Sequence, residues 1–237
     1  MILYWLFVIA GFLLLLLFIH EKCKAYTVKA TLIKTAVSAI FMATGLLTAY
    51  NVPADSPARG MAFLIVAGSL FGLFGDIFLD LKYVHRSDET LYTYAGFCTF
   101  FIMHTIIVIG LIRYFGGAVG VLWTLLPLLV GFAVGIGNVF LGPVMKLDYT
   151  GYKGITMAYG GLLIGATLLT LVYAVKSGFA SPFLTVMLVG YVLFLVSDLI
   201  LSQTYFAGKE GRFFIASNYA TYYAAMYLFA SAAIYLA

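Results

Sequence analysis

Two aspartates sit inside long apolar runs, Asp76 in LFGDIFL and Asp198 in LVSDLIL. An ionisable group in such a run is costly to bury, and each is a site hypothesis by default. Two carboxyls sharing a low-dielectric cavity cannot both ionise cheaply, so one proton is expected between them near neutral pH. Such a pair supplies a general acid and a carboxylate base or cation stabiliser from a single residue type. Lys34 and His104 are the other ionisable residues deep in apolar runs. Lys34 could neutralise one carboxylate and fix its role; the bland alternative is a Lys–Asp pair that only holds helices together. His104, alone on an apolar face, reads more readily as a helix–helix hydrogen-bonder than as a catalyst. An Asp/Asp/His metal site would have acceptable ligand types, but His20 and His85 fall in loops, so neither a metal nor another cofactor is expected.

The segments around the aspartates echo each other. GDIFLDLKY and SDLILSQTY share Asp, then Leu three residues on, then Tyr seven on, positions that fall on one helical face. Asp80 shares the face of Asp76 but is expected at the boundary, solvated. Asp88, Glu89 and Asp148 read as surface charge, and Cys98 as a small core residue.

The elements that must carry these residues follow from composition. Only 9% of the 237 residues are charged and 64% are hydrophobic, against roughly 25% charged in a soluble domain. Mean hydropathy is +1.09. A helix crossing hydrocarbon needs about 20 apolar residues, so eight spans consume roughly 160 and leave only short connectors. The expectation is an all-α membrane protein, residues 1–237 forming a single polytopic bundle of about eight transmembrane helices. The predicted spans are Ile2–Ile19, Val28–Tyr50, Met61–Leu79, Leu91–Arg113, Val119–Phe140, Gly154–Val175, Pro182–Gln203 and Phe213–Leu236. The first lacks a basic leader and a small-residue cleavage pattern, and reads as a retained span.

Lys/Arg placement orients the bundle. Odd-numbered loops hold Lys22, Lys24, Lys29, Lys82, Arg86, Lys146, Lys153, Lys209 and Arg212, and even-numbered loops only Arg59, Arg113 and Lys176. The odd loops are therefore expected in the cytoplasm and both termini outside. The net charge of +4 reflects this loading and calls for no nucleic acid. Most of the 18 tyrosines read as an interfacial belt. On this orientation Lys34, Asp76, Asn138, Tyr159, Asp198, Asn218, Tyr222 and Tyr223 lie in the inner half, with His104 near the middle. Polar groups from seven helices thus converge on one cytoplasm-side layer.

Gly75-Asp76, Gly96-Phe97 with Phe100 and His104, Ser197-Asp198 and Tyr222-Tyr223-Ala224 together resemble the YhhN-type lysoplasmalogenase family. The resemblance runs over nearly the whole chain in length, span count and motif order. It implies an eight-helix membrane hydrolase that cleaves the vinyl ether of lysoplasmalogens to a fatty aldehyde and a glycerophospho-headgroup. It implies Asp76 and Asp198 as the catalytic pair and Lys34 as the family's lysine of the second span. The chain departs from the family pattern at Thr35, at Ile107 and Val108, and at Met226. On this reading Lys34, His104, Asn138, Tyr159, Asn218, Tyr222 and Tyr223 bind a lysophospholipid. The protein would be multi-pass in a bacterial inner (cell) membrane, with its site toward the cytoplasm. Two readings compete. A proton-coupled carrier of a small amphiphile would use the same buried carboxylates. An intramembrane aspartyl protease would need a companion Tyr-Asp and a later Pro-Ala-Leu, which are absent.

Overall fold

A computed structural model describes residues 2–25, 27–209 and 211–236. Their long elements are eight α-helices: α1 (Ile2–Lys22), α2 (Val28–Tyr50), α3 (Arg59–Val84), α4 (Glu89–Val119), α5 (Val121–Phe140), α6 (Lys153–Lys176), α7 (Pro182–Tyr205) and α8 (Arg212–Ala232). In hydrocarbon every backbone N–H and C=O must be satisfied within the segment, and a helix does this. Seven of the eight are long and apolar enough to cross a membrane. The exception, α8, has 21 residues, about 31 Å at 1.5 Å per residue. It is less apolar because Asn218, Tyr222 and Tyr223 are buried inside the bundle. The chain is a polytopic helical membrane protein.

Most helices run past the spans expected from hydropathy. Hydropathy ends a span at the first charge, whereas backbone hydrogen bonding continues through the interface. The largest correction lies between the fourth and fifth spans. RYFGG, expected as a break, is helical, and the chain turns only at Gly120, whose φ of 90° favours glycine. Side chains start two helices: Thr27 accepts from the Ala30 N–H, and Ser181 from that of Leu184 ahead of Pro182.

Sequential helices pack as hairpins, and α8 closes the bundle against α1, α2, α3 and α7. The core is one large cluster that includes Phe41, Met103, Leu169, Tyr191 and Phe229. The α5–α6 hairpin is welded by backbone approach. A Cβ on Gly131 would lie 2.3 Å from the Gly165 Cα, and one on Gly135 2.6 Å from the Gly161 Cα. These are two small-xxx-small stripes facing each other. Cys98 is exposed on the outer face of α4 rather than in the core, because its face of the helix points away from α3.

Candidate functional site

The floor of the site is a charge ladder between α2 and α3. Thr31, Lys34 and Ser38 fall on one face of α2, and Asp76 and Asp80 one turn apart on α3. The two faces meet in register. Ser38 Oγ donates to Asp76 Oδ2 at 2.6 Å, Thr31 Oγ1 to Asp80 Oδ2 at 3.4 Å, and Lys34 lies between. Lys34 Nζ is 3.2 Å from Asp76 Oδ1, 3.3 Å from Asp80 Oδ1 and 3.2 Å from the Asp76 carbonyl. Three acceptors match the three protons of an ammonium. Lys34 thus faces the carboxylates of α3 while also lining the cavity described below.

Asp80 is not solvated as expected. It is 1% exposed and also accepts from Lys22 Nζ at 2.9 Å. Lys22 and Lys82, read as loop residues, are likewise inside at 2% and 5% exposure. Lys82 caps the Tyr205 ring at 3.4 Å, with Glu89 at 3.9 Å. The helices carry these lysines past the hydrophobic edge, where their stems bury along neighbouring rings.

Tyr222 from α8 donates to Asp76 Oδ2 at 2.8 Å, so Asp76 holds two hydroxyl donors and one ammonium. Asp198 is different. It is half-buried, and its hydrogen-bond donor is Tyr159, at 2.5 Å from Oδ2. Among the described residues no hydrogen bond joins the two carboxyls; each accepts from its own tyrosine, Asp76 from Tyr222 and Asp198 from Tyr159. Asn218 Nδ2 donates to the Ser197 carbonyl at 2.8 Å and to Ser197 Oγ at 3.0 Å, tying α7 to α8 beside Asp198.

Both carboxyls line one cavity of about 40 Å³, with Lys34, Tyr159, Asn218 and Tyr222. That is room for water among these polar groups. Phe97, Phe100 and Phe194 form its apolar wall. A Cβ on Gly75 would lie 2.6 Å from the Phe100 ring, so glycine before Asp76 lets that ring reach the wall. The echoed leucines, Leu79 and Leu201, both line the cavity, and so does Tyr205. Its counterpart Tyr83 instead lies beside Lys22 and Lys82.

A second chamber, of about 410 Å³, adjoins the first and shares Phe97, Tyr159, Asp198, Leu201 and Tyr205 with it. Asn138 lines this chamber and donates to the Tyr149 hydroxyl at 3.1 Å. Tyr223 stands behind Ser38, 3.0 Å from its oxygen. His104 lines neither cavity. It is fully buried, with Phe194 edge-on at 4.7 Å and Tyr191 at 5.7 Å. Neither ring nitrogen has a hydrogen-bond partner among the described residues, so the helix–helix bond expected of it is not made. No three His, Cys, Asp or Glu side chains cluster as metal ligands would among those residues.

Sequence reasoning missed Ser38 and Thr31, and misjudged Asp80. The signal was present, since Ser38 is one turn from Lys34, and Asp80 one turn from Asp76, on faces already known to carry charge.

A family model described as the YhhN family matches residues 3–233. No curated protein and no solved structure matches the chain.

Proposed function

The chain belongs to the YhhN family, and from that premise we propose that it is a membrane-embedded hydrolase of the vinyl ether bond of lysoplasmalogens. The observation that carries the reading is one water-sized cavity lined by both Asp76 and Asp198, opening beside a larger and mostly apolar chamber.

The chemistry needs a proton on carbon and a water held nearby. Asp198 suits the acid: no cation pairs with it among the described residues, and it stands at the junction with the chamber. It transfers its proton to the alkene carbon remote from the ether oxygen, leaving an oxocarbenium ion. Asp76, held as a carboxylate by Lys34, Ser38 and Tyr222, stabilises that cation and takes a proton from the attacking water. The hemiacetal then collapses. Its hydroxyl proton returns to Asp198 and the proton on Asp76 passes to the departing glycerol oxygen. One water is consumed, and a fatty aldehyde and a glycerophospho-headgroup leave. The loop-charge asymmetry supports a site on the cytoplasmic side of the membrane.

The test is turnover of a lysoplasmalogen by purified protein, followed by mass spectrometry of the aldehyde. Asp76→Asn and Asp198→Asn, each shown to be folded, should lose activity by about 10²-fold or more, the scale of general acid–base catalysis. Parental turnover in either variant would overturn the mechanism. Substrate-dependent proton flux in proteoliposomes without aldehyde would favour a carrier instead.

A further inference from the structure

We propose that the chamber between α5, α6 and α7 binds one lysophospholipid along the helices: its chain enters sideways from the bilayer between α5 and α7, and its phosphate-bearing headgroup lies at the loop end against Asn138, Thr156, Ser202 and Gln203. This rests on the hydrolase reading and specifies how the substrate lies in the site.

The chamber's volume of about 410 Å³ falls among ligand-sized pockets, roughly 300–1,000 Å³. Its lining is graded in tiers about one helical turn, ~5.4 Å, apart. The loop-end tier holds four polar side chains, Asn138 in the last turn of α5, Thr156 in the first turn of α6, and Ser202 and Gln203 in the last turn of α7, set among Met145, Leu147 and Phe206. The next holds Tyr159 and Asp198. Beyond it come Val134, Leu163, Ile164 and Leu195, all apolar. A lysolipid has the same order of headgroup, ether linkage and hydrocarbon.

The loop-end tier has hydrogen-bonding capacity to spare. Thr156 Oγ1 is buried with no partner among the described residues, a state that costs free energy until something bonds it. Gln203 Oε1 accepts from Lys209 Nζ at 2.8 Å, which brings a cation to the rim and leaves the amide N–H groups of Gln203 to donate. Lys34, by contrast, faces Asp76 and Asp80.

The side opening is a gap between helices. α5 packs on α6 and touches α4, but no close backbone contact joins it to α7 among the described residues. Val134 on α5 and Leu199 on α7 both line the chamber, yet are 48% and 57% exposed. Apolar residues at a mouth in mid-helix face hydrocarbon rather than water.

The probe is ester-linked lysophosphatidylethanolamine, which carries no vinyl ether, with binding to the purified full chain measured by native mass spectrometry. One copy should bind saturably. Thr156→Val and Gln203→Glu should each weaken it roughly fivefold or more, the scale of a lost hydrogen bond, and leave binding of a monoacylglycerol of the same chain unchanged. Leu163→Trp, which fills the apolar tier, should weaken both ligands and shift preference to shorter chains. Glycerophosphoethanolamine, the headgroup without a tail, should bind far more weakly. Equal losses for both ligands in the rim variants, no loss in either, or tail-independent binding would overturn the proposal. Because the probe carries no vinyl ether, its binding is read apart from turnover: saturable probe binding with no aldehyde released from a lysoplasmalogen sinks only the hydrolase reading. Hydrolysis with unaltered headgroup preference in the rim variants sinks only this one.

Discussion

Replacing Lys34 with methionine tests the charge ladder directly. The side chain is 4% exposed and serves two carboxylates. Methionine has similar length, so the perturbation is loss of the ammonium more than loss of volume. Asp80 keeps Lys22 at 2.9 Å; Asp76 is left with the hydroxyls of Ser38 and Tyr222 and no cation. Removing one partner of a buried pair costs about 3–5 kcal/mol, mostly from the charge left uncompensated. At about 2–4 °C per kcal/mol for a chain of this length, Lys34→Met should melt roughly 6–20 °C below the parent in detergent. The double variant Lys34→Met/Asp76→Asn removes that stranded charge and leaves the Lys22–Asp80 pair intact. An asparagine carbonyl still accepts from Ser38 and Tyr222. The double variant should therefore recover more than half of the lost stability, a coupling that a double-mutant cycle of melting curves reads out. A single variant within about 1 °C of the parent, or a double variant no more stable than the single, would refute the view that Lys34 is chiefly a counter-charge to Asp76.

Tyr159→Phe removes the hydrogen-bond donor of Asp198 and should slow aldehyde release roughly 10- to 100-fold, as expected for a hydrogen bond to a charged group, with melting temperature little changed. Gly131→Ala or Gly135→Ala drives a methyl into the backbone of α6 and should lower the melting temperature by several degrees. Gly137→Ala, where a Cβ meets nothing within 4 Å, should not. In the loop after α5, the Thr150 hydroxyl and N–H hold the Asp148 carboxyl below its ordinary value. A depressed carboxylate contributes loop order above its unfolded value near ~3.9 and loses it as pH falls through the folded one. Hydrogen exchange at Thr150 should therefore speed up in Asp148→Asn at pH 7, and the variant and parent should converge once the pH has fallen through the folded value of Asp148.

Much of this architecture was legible because hydrocarbon leaves few alternatives. Long apolar runs must be helices, and the runs of this chain are separated by charged or Gly/Pro-containing stretches. Where those markers misled, the cause was local. RYFGG carries a charge and two glycines, yet nothing prevents a helix from running through them at an interface, and only the positive φ of Gly120 ends α4. Lys22, Lys82 and Asp80 looked like interface charge because hydropathy registers polarity and not direction. Each points inward, toward a partner on another helix. Tyr159 and Tyr222 could be named as inner-layer polar groups. Which carboxylate each would serve depended on helix neighbours: α8 touches both α3 and α7, which have no close backbone contact with each other.

That neighbour pattern bears on the aspartates themselves. The sequence echo makes Asp76 and Asp198 look interchangeable, and their leucines do reach the same cavity. What differs is what else the surrounding helices bring. α2 delivers an ammonium and a hydroxyl to Asp76, while α6 delivers a single phenol to Asp198. Two identical side chains given unequal company acquire unequal chemistry, which is what separates an acid from a base in a paired-carboxylate site. Moving the cation should therefore move the roles. Asp198 flanked by an introduced lysine at Leu201, with Lys34→Met in the same chain, should lose the ability to protonate carbon even though both carboxyls remain. If that chain, properly folded, still released aldehyde at the parental rate, the asymmetry would be incidental and the acid would have to be sought elsewhere in the cavity.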